Sequence, residues 1–284
     1  MTIPPTTRSA LELSTGVRLP YVEQGERDGV PVLLLHGVTD SWRSFAPLLP
    51  HLPPALRVCA VTQRGHAGAS RPRAGYRIAD LTADAAAVLD ALGLDDAVVV
   101  GHSMGSVVAQ RLALDHPERV RGLVLLNSFS ALARNAGVRE LWDGAVAPLR
   151  DPIDARFVRA FQAGTVTRPI AADFLDLVVG ESLAVPARIW RALFAGFLRT
   201  DFFDQLGAIA APTLILAGGR DAICPVSDQQ ALAAAIPGAR LTVVPEAGHS
   251  LHWEDPAYVA AALAAFLAAA DGVSAPRTAP RSSR

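Results

Sequence analysis

The sequence predicts an α/β fold: a mostly parallel, doubly wound sheet with helices on both faces and a helical cap inserted after the sixth strand. Three observations carry that prediction. Short apolar runs recur along the chain, each closed by glycine or a polar residue. Helix-patterned stretches fill the gaps between them. One long segment, residues 128–205, breaks the alternation and contains no convincing strand.

The elements follow in order. Ala10 to Gln24 alternates apolar and polar residues as an antiparallel hairpin at a sheet edge would, supplying the first two strands. Val32 to Leu35 is a pure apolar run ending at His36-Gly37, and Arg57 to Thr62 ends at Gln63-Arg64-Gly65. Ala97 to Val100 ends at Gly101, and Leu123 to Leu126, the sixth strand, ends at Asn127. Thr213 to Leu216 ends at Gly218-Gly219, and Leu241 to Val244 completes the series. Continuous rather than alternating apolar runs are what a sheet buried on both faces requires. The intervening helices are expected over Ala79 to Leu92, Gly105 to Leu114, Asp228 to Ala235 and Pro256 to Ala269, the last behind an Asp255-Pro256 start.

Residues 128–205 read as helices and loops, and they hold ten of the 17 aromatic residues, so an apolar assembly above the strand ends is expected there. The expected division is a core of residues 1–127 and 206–272, a cap of 128–205 and a flexible tail of 273–284.

Composition narrows the chemistry. A chain of 284 residues that is 51% hydrophobic and 19% charged is globular. Its 26 basic residues nearly balance its 27 acidic ones, which excludes a basic nucleic-acid footprint. Every basic residue is arginine; the chain has no lysine. Schiff-base, pyridoxal-phosphate, P-loop and kinase-type lysine chemistry is therefore excluded. Cys59 and Cys224 form no disulfide framework and no zinc site, so they read as small hydrophobes, and no metal or cofactor is expected. The polar start, Met1 to Glu12, has no signal core, and the longest apolar run, Ala257 to Ala270, is shorter than the ~20 residues a membrane span needs. The expectation is a cytoplasmic protein with a small-molecule partner, engaging neither nucleic acid nor membrane; oligomeric state is left open.

Gly101-His102-Ser103-Met104-Gly105 fits G-x-S-x-G, and it joins a buried strand to a helix. In that setting the serine occupies a tight, strained turn, its hydroxyl above the sheet and the following N–H groups aimed at a bound oxyanion.

With this motif the chain resembles the α/β-hydrolase fold family, in its serine-nucleophile, esterase- and lactonase-like branch. The resemblance covers nearly the whole length and is carried in order by His36-Gly37-Val38, Gln63 to Ser70, Gly101 to Gly105, Gly218 to Asp221 and Ala247-Gly248-His249. It implies a nucleophile–acid–histidine triad of Ser103, Asp221 and His249, with His252 the second candidate for the base. Some members carry the acid one strand earlier, but Asn127-Ser128 stands there and cannot hold a full charge. The resemblance places the oxyanion hole at the backbone N–H groups of Val38 and Met104.

A serine nucleophile needs an acyl carbon, because attack on an alkyl carbon would leave a dead-end ether. The first expectation is hydrolysis of a small, mostly apolar carboxylic ester or lactone through an acyl-serine. Carbon–carbon hydrolysis of ring-cleavage products is an alternative, although Val38 to Trp42 lacks the glycine-rich turn usual in those enzymes. Cofactor-free haloperoxidase or perhydrolase activity is another. A ligand receptor of this fold with slow turnover is the alternative of a different class. Trp142, Phe161 and Trp190 are the candidate pocket residues, and the cap arginines are expected to be solvated.

Overall fold

A computed structural model describes residues 7–129 and 131–271; the expected tail, 273–284, and the first six residues lie outside the described residues. Among the described residues, eight strands form one sheet. They are β1 (Thr7–Glu12), β2 (Arg18–Gly25), β3 (Val30–Leu35), β4 (Leu56–Val61), β5 (Ala97–His102), β6 (Val120–Leu126), β7 (Thr213–Gly218) and β8 (Arg240–Val244), in the spatial order β1-β2-β4-β3-β5-β6-β7-β8. β1 and β2 form the edge hairpin, and β2 runs antiparallel to β4; the remaining pairs are parallel.

The strand order reverses at β3. From β3 the chain moves one way to β4, then crosses back to place β5 on the other side of β3. The connections leaving β3 and β5 therefore diverge, opening a crevice at their C-terminal ends. His36-Gly37 and Ser103 directly follow those two strands.

Alternate residues of the central strands feed two separate cores. Leu33, Leu35, Val99, Leu123, Leu125 and Ile215 face one side, where α1 (Ile78–Ala91) and α2 (Met104–Asp115) pack. Val32, Leu34, Val98, Val100, Val124 and Leu126 face the other, against Phe45, Leu48 and helix α9 (Pro256–Asp271). Two covered faces account for the unbroken apolar strands.

Between β6 and β7 the described residues hold helices and no strand: α3 (Ala136–Leu141), α4 (Ala155–Ala163), α5 (Ala172–Leu183) and α6 (Ala187–Phe197). A π turn over Trp142–Val146 continues α3. The inner sides of these helices, Val158, Val179, Trp190, Leu193 and Phe197 among them, join the core on the α1–α2 side of the sheet.

The remaining helices are α7 (Val226–Ala235) and α8 (Leu251–Glu254), a single turn. α7 starts two residues earlier than expected because Pro225, at φ −61°, is already set for a helical entry. α1 starts one residue early, at Ile78, because the Asp80 carboxylate accepts the N–H of Arg77 at 2.9 Å and closes the first turn. Among the described residues no helix is long and apolar enough to cross a membrane.

α2 begins directly beneath β3, where there is no room for a side chain. A Cβ on Gly105 would stand 2.1 Å from the carbonyl oxygen of Leu35, whereas one on Gly180, on the exposed side of α5, would meet nothing within 4 Å. Gly105→Ala is expected to lose about 3 kcal/mol or more in urea unfolding, since only backbone movement can relieve the clash. Gly180→Ala is expected to gain up to about 1 kcal/mol in the same measurement, through helix propensity and a less flexible unfolded chain.

Candidate active site

Ser103 sits between β5 and α2 at φ 51°, ψ −118°, a backbone region that side chains other than glycine rarely occupy. The surroundings force it there. A Cβ on Gly101 would approach the carbonyl oxygen of Gly105 to 2.3 Å, so strand and helix meet at backbone contact with only Ser103 between them. Its N–H donates to the Leu126 carbonyl at 3.1 Å, fastening the turn to β6. The serine is 5% exposed and lies on the wall of a cavity of about 400 Å³.

The backbone N–H groups of Val38 and Met104 have no acceptor among the described residues, although Met104 is buried. The Val38 group is aimed from behind. His36 Nδ1 donates to the Gly37 carbonyl at 2.7 Å, and His36 Nε2 accepts the Gln63 N–H at 2.9 Å. Fixing the Gly37 carbonyl fixes the opposite end of the same peptide plane, which is the Val38 N–H. Burial holds His36 well below the ordinary histidine range, and the neighbouring His66 and His102 rings add to this, so the ring keeps its neutral, one-donor form.

His249 follows β8 and reaches the same cavity. Its Nδ1 lies 2.9 Å from Asp221 Oδ2, with both side chains buried. A carboxylate can only accept, so Nδ1 carries the proton and Nε2 keeps its lone pair. Asp221 stands on the loop after β7, behind the histidine and off the cavity wall. Burial by itself would raise the Asp221 carboxyl. The adjacent His249, the Cys224 N–H at 2.8 Å and the Asn127 side-chain amide at 2.9 Å outweigh it and hold the group below the usual carboxylate range. The Ile223 N–H adds a further bond at 2.8 Å.

Three supports were not visible in the sequence. Asn127, at φ 46°, donates to both Asp221 and the Gly248 carbonyl, so the residue that cannot be the acid braces it. His102 Nε2 lies 3.0 Å from the His249 carbonyl oxygen and ties the histidine loop to the serine turn. Asp40, 4% exposed on the cavity wall, accepts from Gln162 of α4 at 3.1 Å and from Ser44 at 3.2 Å. Single residue types carried no signal for these contacts, which span 4 to 147 positions along the chain.

His252 is on α8 and wholly buried, its Nε2 3.0 Å from Ser44 Oγ and off the cavity wall. Of the three candidate pocket residues, Phe161 is on that wall; Trp142 and Trp190 are not. Trp190 is fully buried and packs beneath Phe161, stacking on Phe194 at 6.4 Å. Phe194 and Phe197, further along α6, reach the cavity together with Phe129, Leu141 and Trp253. The aromatic content of residues 128–205 predicted an apolar assembly without showing which of its residues meet empty space. None of the cap arginines lines the cavity; Arg134 pairs with Asp201 and Arg159 with Asp176.

One group of possible metal ligands exists among the described residues: atoms of Asp221, Cys224 and His249 lie within 4.8 Å of one another. The donor set suits a metal poorly. Burial raises the Cys224 thiol well above its ordinary range, keeping it protonated, while Asp221 and His249 already bond each other.

A family model described as alpha/beta hydrolase fold matches residues 30–256. A protein of Variovorax paradoxus named "Putative carbamate hydrolase RutD" is 34% identical over 258 residues, covering 88% of this chain and 96% of that protein. The 2-hydroxymuconate semialdehyde hydrolase of Pseudomonas sp. is 29% identical, with 91% and 93% covered. Among solved structures, Est816, described as an N-acyl homoserine lactone degrading enzyme, superposes with a TM-score of 0.75 at 30% identity, covering 91% of this chain and all of that one.

The buried Asp40 carboxyl has a consequence for stability. Burial raises it from 3.8 to about 7, against the hydrogen bonds from Gln162 and Ser44. An acid with a higher pKa folded than unfolded binds its proton more tightly when folded. This group therefore weakens the fold progressively as pH rises from about 4 to about 7, by at most about 4 kcal/mol. Asp40→Asn is expected to raise the thermal midpoint above pH ~7 and to change it little at pH ~4, read from melting curves across that range.

Proposed function

This chain belongs to the α/β-hydrolase fold family, and on that premise we propose that it is a serine hydrolase cleaving a small, mostly uncharged carboxylic ester or lactone. The observation that carries the reading is the set of groups around Ser103: a strained turn, two N–H groups without acceptors, and an imidazole whose far nitrogen is bonded to Asp221.

In the proposed reaction the acyl carbon rests over Ser103 with its oxygen toward the N–H groups of Val38 and Met104. His249 Nε2 accepts the hydroxyl proton as Ser103 Oγ attacks. Asp221 holds the ring in the tautomer that leaves Nε2 free and stabilises the imidazolium that forms. The two N–H groups stabilise the developing oxyanion, each worth about 3 kcal/mol in comparable sites. The imidazolium then protonates the departing alcohol oxygen, leaving an acyl-serine. Water repeats the sequence: His249 takes its proton, the hydroxide attacks the acyl carbon, and Ser103 leaves with the proton returned. The aromatic wall of Phe129, Phe161, Phe194 and Phe197 suits an apolar acyl or alcohol group.

The names borne by the relatives, carbamate hydrolase, semialdehyde hydrolase and lactone-degrading enzyme, support a hydrolase with a small-molecule substrate. Ester or lactone cleavage is favoured over carbon–carbon cleavage by the wall's charge. A muconate-type product carries a carboxylate, and among the described residues the wall offers Asp40 and Glu140 but no arginine.

Ser103→Ala is expected to lower hydrolysis of p-nitrophenyl butyrate by at least about 10⁴-fold with an unchanged melting profile, and His249→Ala by a similar factor. His252→Ala should retain turnover. Persistent activity in Ser103→Ala, or an inactive His252→Ala beside an active His249→Ala, would overturn the assignment.

A further inference from the structure

The turn that carries the Val38 N–H holds a strained residue of its own. The Asp40 N–H closes it on the Gly37 carbonyl at 3.4 Å, which puts Val38 and Thr39 at its two central positions. Thr39 stands at φ 66°, where the second central residue of a type II turn is ordinarily glycine or asparagine. For a β-branched side chain that region is a genuine outlier. Thr39 is wholly buried and off the cavity wall, so contact with a substrate does not put it there. A strained residue persists only where its surroundings over-determine it.

The groups that hold Thr39 come from the helices between β6 and β7. Ser182 of α5 donates to the Thr39 carbonyl at 3.2 Å. Its one proton is thereby spent, so the Thr39 hydroxyl, 3.0 Å away, donates to Ser182 Oγ. Gln162 of α4 donates to the same oxygen at 2.6 Å, and its second amide proton goes to Asp40 at 3.1 Å. Ser182 Oγ therefore uses its proton and both lone pairs, all in buried bonds. Like Thr39, Ser182 lies off the cavity wall.

The grip bears on the oxyanion donor because both ends of the turn are fixed. His36 holds the Gly37 carbonyl at one end, and Ser44 and Gln162 hold Asp40 at the other. If Thr39 relaxed to negative φ between them, the peptide planes on either side of Val38 would have to rotate to compensate. One of those planes carries the Val38 N–H.

We infer that Ser182, oriented by Gln162, is a positioning residue for the oxyanion hole: it holds Thr39 in the strained form that keeps the Val38 N–H in place beside Ser103. The hole is then complete only while α5 is seated on the turn after β3. The inference rests on the serine-hydrolase reading and adds to it a dependence of transition-state binding on a side chain that lines no part of the cavity. A clasp that merely stabilised the fold would lower the melting point and leave the folded enzyme's preference for the transition state unchanged.

The test compares 2-pentanone with 1,1,1-trifluoro-2-pentanone as inhibitors of p-nitrophenyl butyrate hydrolysis; both share the propyl chain of the butyryl group. The first binds as a ground-state analogue. The second is attacked at its carbonyl carbon by Ser103 Oγ, whose proton passes to His249, and its carbonyl oxygen becomes an oxyanion facing the two N–H groups. The ratio of the two inhibition constants reads that stabilisation and does not depend on how much of the protein is folded. In Ser182→Ala and in Thr39→Val the ratio is expected to fall at least about fivefold, with kcat for the butyrate falling by a similar factor and KM changing less than about threefold. Thr39→Val keeps the bonds from Ser182 to the Thr39 carbonyl and from Gln162, so it supplies the reading if Ser182→Ala folds poorly. Glycine accepts φ 66° without strain, so adding Thr39→Gly to Ser182→Ala is expected to bring the ratio back to within about threefold of wild type, although it adds no contact. A smaller fall in both single variants would overturn the positioning role and leave the hydrolase reading standing. So would a lowered ratio that Thr39→Gly does not restore, because the loss would then not run through the strained turn. A wild-type protein that neither cleaves the butyrate nor prefers the trifluoromethyl ketone would overturn the hydrolase reading and this inference with it.

Discussion

The site depends on one steric constraint: strand β5 and helix α2 meet at backbone contact against β3. A side chain at Gly101 or Gly105 would fall within about 2.3 Å of a carbonyl oxygen, so the chain turns there with no slack. The turn forces Ser103 to positive φ, and that unfavourable conformation persists only because the neighbouring strands over-determine it. Several consequences follow from the same contact. The serine hydroxyl is lifted above the sheet, the first free N–H of α2 is left without an acceptor, and both stand beside the carboxyl end of β3. The reversal of strand order places that end at the mouth of the crevice.

The groups facing Ser103 are held by bonds that run backward, away from the cavity. His36 grips the Gly37 carbonyl and so aims the Val38 N–H. Asp221 grips His249 and is itself held by Asn127 and by the Ile223 and Cys224 N–H groups. His102 grips the backbone of His249. The front of the cavity is left with a lone pair, a hydroxyl and two N–H groups, all unspent. Preorganisation of this kind explains why the site tolerates so many buried histidines. Each of His36, His66, His102 and His252 is kept neutral by burial, so none adds a competing positive charge near His249.

Much of this was legible in the sequence because the constraint itself is written in residue types. Apolar runs ending in glycine marked the strands, and Gly101-His102-Ser103-Met104-Gly105 announced a turn that side chains could not occupy. What escaped the sequence is contact between distant positions. Asn127 read only as a failed acid, yet its amide is the donor that Asp221 needs. The aromatic content of residues 128–205 was plain, but no spacing records that Trp190 is buried while Phe194 meets the cavity. Asp40 drew no reading of its own in the sequence. Its meaning came from Gln162, 122 positions away.

A chain without lysine must do all its cationic work with arginine, and the guanidinium group is always charged. Here the cap arginines lie off the cavity wall, several of them committed to ion pairs or to backbone carbonyls. Among the described residues, the titratable side chains on the cavity wall are the carboxyl groups of Asp40 and Glu140 and the imidazoles of His102 and His249. An anion entering the cavity would meet no arginine among the described residues of that wall while shedding its water, a penalty that a neutral ligand escapes. Selection in such a cavity works through what it withholds as much as through what it offers, and the proposed oxyanion is a negative charge for which the Val38 and Met104 N–H groups stand free.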